Sequence, residues 1–220
     1  MKITFNKSGL TGELKRLAKA NAAQDKPLSI LDDAVFKAML TSNNEDAREA
    51  LKSLLSACIK REISSVQITN NEPIPFYLGA KLPRLDVHIV FNDGEAANLE
   101  MMLSKSSDDL QRRAIYYAAM LLSGQSNRGR SYKEMKRVYQ IFFLNYELFP
   151  ESCIIPRRYY YMEQHEHDRL SDATEIIFYE MPKLEKQVNA LLAGKTDIKT
   201  LPNDEKWYIQ KCTRYIERVD

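Results

Sequence analysis

The stretch from Lys81 to Leu103 constrains the fold most strongly. Leu85, Val87, Ile89 and Phe91 alternate with Asp86, His88 and Val90, the period-two pattern of a strand with one apolar face. Asn92-Asp93-Gly94 follows, and Asp-Gly supplies the positive φ of a tight hairpin. A second strand is expected from Ala96 to Leu103. Asp86 and His88 share a face of the first strand, and Glu100 and Met102 share a face of the second. If those faces coincide, Asp86 and Glu100 converge on neighbouring strands. Two carboxylates in a mostly apolar setting are costly unless a cation lies between them. A hard, oxygen-seeking ion such as Mg2+ or Mn2+ suits such a pair.

Helix and strand signals alternate on both sides of the hairpin. Asp32 or Asp33 is a candidate N-cap for a helix whose stripe is Val35, Phe36, Met39 and Leu40, and Ser42-Asn43-Asn44 ends it. Ala47 to Ile59 is expected as a second helix, with Leu51, Leu54, Leu55 and Cys58 on one side. Ser65 to Thr69 is expected as a short strand, and Asn70 to Pro75 as a loop, because Pro73 and Pro75 bar regular structure. After the hairpin, Ser106 to Asp109 caps a long helix, Leu110 to Leu122, whose expected buried face is Ile115, Ala118, Ala119 and Leu122. Gly124 to Gly129 is a turn, and Tyr132 to Lys136 a short helix. Arg137 to Phe149 is β-branched and aromatic and is expected as a central strand, a buried helix being the alternative. Arg157 to His165 and Thr174 to Tyr179 are further strands. Met181 to Leu192 is a helix with Pro182 in its first turn and Gly194 at its end, and Asp204 to Val219 is a C-terminal helix.

The 220 residues suffice for one substantial core. With 32 Lys and Arg against 30 Asp and Glu, the net charge of +2 neither demands nor excludes nucleic acid. Basic residues do cluster at Arg128, Arg130, Lys133, Lys136 and Arg137, a group suited to DNA phosphates. The three cysteines, Cys58, Cys153 and Cys212, are far apart and odd in number. That argues against a disulfide framework or a Cys-rich zinc site and fits a cytoplasmic setting. The first twenty residues lack the apolar core of a signal peptide, and no apolar run of about 18 residues exists to span a membrane.

Several short motifs then fall in order. Asp33-Ala-Val-Phe-Lys37, Arg84-Leu-Asp-Val87, Asn98-Leu-Glu-Met101, Arg113-Ala-Ile-Tyr-Tyr117 and Glu180-Met-Pro-Lys183 each match a segment of one known pattern. Together they resemble the PD-(D/E)XK nuclease superfamily, and within it the recombination-promoting nuclease (Rpn), or PD-(D/E)XK nuclease family transposase, group. The resemblance covers roughly residues 28–190. It implies an α/β fold with a restriction-endonuclease-like central mixed sheet flanked by helices and a C-terminal helical extension. The expected division is a polar N-terminal extension over residues 1–27, a nuclease-like domain over 28–195 and a C-terminal helix over 196–220. The implied activity is divalent-metal-dependent DNA endonuclease chemistry, with DNA as partner, Mg2+ or Mn2+ as cofactor, and Asp86 and Glu100 as metal ligands. The sequence leaves homo-oligomer formation open.

The family's Glu-x-(Lys or Gln) is Glu100-Met101-Met102 here, so a thioether stands where a charged or amide side chain is usual. A weakened enzyme is one consequence, and a catalytically degenerate DNA- or protein-binding module is the alternative. Asp33 and Lys37 lie one helical turn apart. They are either an ordinary surface pair or the border of the metal site, with Lys37 supplying the charge that Met102 lacks. Arg113 and Tyr117 are also one turn apart. Arg113 either contacts a phosphate or pairs with Asp109 on its own helix. His88 is expected as a plain strand histidine. His165 and His167 share a face if extended, but a zinc site there lacks further ligands. Glu180 and Lys183 are expected to play a structural part.

Overall fold

A computed structural model of the protein describes residues 36, 40–42, 44–69, 87–106, 108–125 and 131–195. These fall into two compact units, one holding residues up to 62 and from 182 onward, the other residues 63–181.

The first unit contains helix α1, Glu45–Ile59, and nearly all of α3, Met181–Leu192. Asn44 caps α1 by accepting a hydrogen bond from the Ala47 N–H at 2.7 Å. Leu51, Leu55, Ala57 and Cys58 are buried along α1, close to the expected stripe. Phe36 and Leu40 are helical and buried, as the stripe around them implies. Gly194 follows α3 at φ +66°, a conformation that costs glycine no Cβ clash.

The second unit is built on a six-stranded mixed sheet. Its strands are β1 (Val66–Thr69), β2 (Val87–Phe91), β3 (Ala96–Met102), β4 (Val138–Leu144), β5 (Arg157–Tyr159) and β6 (Thr174–Glu180), in the order β1-β2-β3-β4-β6-β5. The hairpin forms as the sequence indicates. Phe91 N–H donates to Glu95 O at 2.8 Å, Gly94 N–H donates to Phe91 O at 3.0 Å, and Gly94 sits at φ +84°. β3, β4 and β6 run parallel at the centre, and all seven residues of β4 are buried. That burial on both faces explains why its sequence is continuously apolar rather than alternating.

Helix α2, Leu110–Ser123, covers the face that carries Phe142, Leu144, Ile176 and Phe178. Its contacting residues are Leu110, Ala114 and Ala118, with Leu121 farther along against Ala96 and Val138. This corrects the expected face, because Ile115 and Ala119 are exposed. Residues 114–122 are apolar almost all round, so periodicity alone selects no face. The stacked rings of Phe142 and Phe178, 5.2 Å apart, fill the space below the helix, and the small Ala114 and Ala118 fit above them.

Two other expectations need correction. The strand from Arg157 ends at Tyr159 rather than His165. Beyond it the chain turns back, with a bridge between Met162 and Arg169. Within that reversal the Glu163 carboxylate accepts the N–H groups of His165 and Glu166, each at 2.6 Å, and His167 has φ +57°. His165 and His167 therefore do not share a strand face. The segment after residue 130 forms only one turn of 3-10 helix, Tyr132–Glu134.

Candidate active site

The strand register sets which side chains meet. Asn98 pairs with Gln140, Glu100 with Phe142 and Met102 with Leu144. Alternation then puts Asn98, Glu100, Met102 and Gln140 on the face that α2 covers. In an otherwise apolar layer, Asn98 and Gln140 are fully buried and Glu100 is 4% exposed.

The hydrogen-bond directions here follow from chemistry. An ionised carboxylate only accepts, so the Asn98 amide must present its NH2 to Glu100. Asn98 Nδ2 donates to Glu100 Oε1 at 3.0 Å and to Gln140 Oε1 at 3.1 Å. The other ends of the two amides, Asn98 Oδ1 and Gln140 Nε2, are buried and make no hydrogen bond among the described residues. A buried carbonyl oxygen in that state, bonded through its own amide to a carboxylate, is a hard donor of the kind Mg2+ and Mn2+ take. The donor set around Glu100 therefore fits such an ion. Among the described residues, no three His, Cys, Asp or Glu side chains gather as ligands. Asp86, expected as the second carboxylate, lies outside the described residues, as do Asp33 and Lys37.

Arg113 enters from α2. Its neighbour Arg112 takes Asp109, with Nε 3.2 Å from Oδ2, so the expected alternative pairing of Arg113 with Asp109 gives way. Arg113 turns toward β3 instead. Its Nη2 lies 3.4 Å from Glu100 Oε2 and 2.9 Å from the Met102 sulfur. The Tyr117 ring centroid is 5.7 Å from the guanidinium carbon. Burial pushes the Tyr146 phenol above its usual pKa, and the Arg113 charge pulls it part of the way back. Met102 itself packs against the apolar cluster of Phe142, Leu144 and Phe178.

The remaining candidates separate from this cluster. His88 Nδ1 is 2.7 Å from Thr69 Oγ1 and burial lowers its pKa, in keeping with a plain strand histidine. Glu180 is buried and accepts the N–H groups of Leu148 and Phe149 at 2.6 and 2.9 Å, tying down the loop after β4. In the basic group, Lys133 and Lys136 are exposed, while Arg128 and Arg130 lie outside the described residues. Arg137 turns inward, donating to Asp172 O at 2.6 Å and to the Tyr139 hydroxyl at 3.3 Å. Sequence reasoning did not single out Asn98 or Gln140 as site residues. Gln140 had a signal, being the only amide in the apolar run Val138–Leu144.

No described helix is long and apolar enough to cross a membrane. Comparisons with curated proteins and with solved structures return no match. A family model described as PD-(D/E)XK nuclease family transposase matches residues 30–208. With its mixed α/β sheet of restriction-endonuclease-like type, the chain belongs to the PD-(D/E)XK nuclease family transposases.

Proposed function

We propose that the protein is a divalent-metal-dependent DNA endonuclease whose centre is Glu100 together with Asp86. The observation that carries this reading is a buried polar cluster of Asn98, Glu100, Gln140 and Arg113 set into an apolar face. Proteins violate core patterning chiefly where function demands it. PD-(D/E)XK nucleases generally use divalent metals. The Glu100 carboxylate and Asp86 would hold the ion, with the Asn98 carbonyl beside them. When bound, the ion would polarise the scissile phosphate and lower the pKa of the attacking water.

The chain's own residues shape the rest. Asn98 holds Glu100 Oε1 and leaves Oε2 facing Arg113. In the reaction a bond forms between the water oxygen and phosphorus, and the bond from phosphorus to the sugar oxygen breaks. The water's proton leaves to solvent, and the departing oxygen takes one back.

Millimolar Mn2+ should raise the melting temperature of the wild type, since a ligand specific to the folded state stabilises it. Asp86→Asn should remove that shift, and an equal shift in the variant would put the ion elsewhere. Nicking of supercoiled plasmid in Mg2+ or Mn2+ tests the chemistry. Met102 in an apolar contact favours a second reading, a DNA-binding module that no longer cuts, and absence of nicking alongside retained DNA binding would establish it.

DNA binding is expected to be mainly electrostatic, resting on Lys133, Lys136 and the basic residues before them. Affinity should therefore fall steeply with salt, by about 0.9 log units per log unit of salt for each phosphate neutralised. A flat salt profile would refute it.

A further inference from the structure

The strand position that carries Lys or Gln in the family pattern carries Met102, yet that place is not without positive charge. The Arg113 guanidinium reaches it from α2, touching the Met102 sulfur at 2.9 Å and lying 3.4 Å from Glu100 Oε2. We infer that Arg113 supplies from the helix the cationic group that the strand lacks, and that it meets the negative charge developing on the scissile phosphate. This inference rests on the nuclease reading above and assigns to that site a residue on a different element.

Three observations support it. The Arg113 side chain is 21% exposed, so it is only partly enclosed. Among the described residues its buried Nε makes no hydrogen bond, so no fixed bond at that atom ties the guanidinium to a structural partner. Asp109, the nearest acid on its own helix, is occupied by Arg112. Chemistry then defines what Arg113 does. A guanidinium stays protonated throughout the working pH range, so it cannot accept the proton of the attacking water. It can offset phosphate charge and fix the phosphate's orientation through paired N–H donors.

The arrangement also explains why a thioether suits position 102. An uncharged, polarizable sulfur lets the guanidinium lie against it. A lysine ammonium there would meet a second cation at contact distance.

The test moves the charge between the two elements. Four proteins are compared with the wild type: Arg113→Met, Arg113→Lys, Met102→Lys and the double variant Arg113→Met with Met102→Lys. Cleavage of supercoiled plasmid, Mn2+ affinity by calorimetry and thermal melting are measured for each. Arg113→Met should lose about 10²–10³ in cleavage rate. It should also bind Mn2+ more tightly, because a positive charge has left the neighbourhood of Glu100. That tightening reports the charge beside Glu100, and rescue of cleavage in the double variant separates a phosphate-facing role from a merely structural one. Arg113→Lys should retain more cleavage than Arg113→Met. Met102→Lys alone should melt lower without gaining rate, and the double variant should recover cleavage to within about tenfold of wild type. Wild-type cleavage by Arg113→Met, or Mn2+ affinity that weakens in step with melting, would overturn the assignment. A wild type that neither binds Mn2+ nor cleaves would instead overturn the nuclease reading, and this inference with it.

Discussion

Two buried glutamates of the same sheet live in opposite circumstances. Glu100 on β3 and Glu175 on β6 are each 4% exposed, and the register places them on opposite faces. Glu175 is held by strong, ionic partners. Arg158 Nη1 and the Tyr160 hydroxyl lie 2.5 and 2.8 Å from its Oε1, and Arg137 Nη2 lies 3.8 Å from its Oε2. The partners of Glu100 include a neutral amide at 3.0 Å and a guanidinium at 3.4 Å. Burial penalises both charges, and at Glu175 a close ion pair with Arg158 offsets the penalty. The difference separates two uses of a buried acid. One locks the end of a short edge strand to the sheet. The other meets an amide and a guanidinium among the described residues, and it is the acid to which the metal role is proposed.

The largest effect that tests this contrast is on cleavage. Glu100→Gln should lower plasmid nicking by at least about 10², a typical cost of losing one well-placed charge contact, and should erase the Mn2+ melting shift. Glu175→Gln should leave the rate per folded molecule unchanged. Equal losses in the two variants would break the comparison.

Stability should show the reverse order. Glu175→Gln leaves Arg158 buried beside a neutral partner and should cost about 3–5 kcal/mol in urea unfolding. Glu100→Gln keeps an oxygen that can accept from Asn98 and should change stability by less, about 1 kcal/mol. A similar large cost at both sites would show Glu100 to be a structural acid.

The smallest effect concerns Tyr160, whose phenol donates to Glu175. Burial first, and then the hydrogen bond to Glu175, raise its pKa above the usual 10.0. The contribution linked to that proton is complete below pH 10. Above it the unfolded chain ionises first, so the stability is lost as pH climbs through the folded value. Tyr160→Phe should cost about 1 kcal/mol at neutral pH and make the alkaline decline shallower. Tyr139, also raised by burial, retains part of that slope. An unchanged alkaline slope in the variant would remove Tyr160 from the account.

Much of the fold was legible in the chain itself, and for local reasons. Alternation marked β2, Asp93-Gly94 marked the hairpin, the continuous apolar run marked β4 as central, and Pro182 and Gly194 bracketed α3. The order of short motifs identified the family. Each signal depends on a residue's own backbone preference or on its near neighbours, which sequence spacing encodes directly. The site was only partly legible. Glu100 and Arg113 stood out as types, but their meeting did not, because they lie 13 positions apart on different elements, a strand and a helix.

Tertiary structure decided the remainder. It chose Leu110, Ala114 and Ala118 as the packed face of α2 through the shape of the Phe142 and Phe178 rings beneath. It ended β5 at Tyr159 and turned Tyr160 and Arg158 onto Glu175, 15 and 17 residues along the chain. It brought the Gln140 amide across to Asn98 and the Arg113 head onto the Met102 sulfur. These contacts join residues distant in sequence, and their partners are selected by packing and strand register. A propensity or a period describes one element at a time, so neither carries that information.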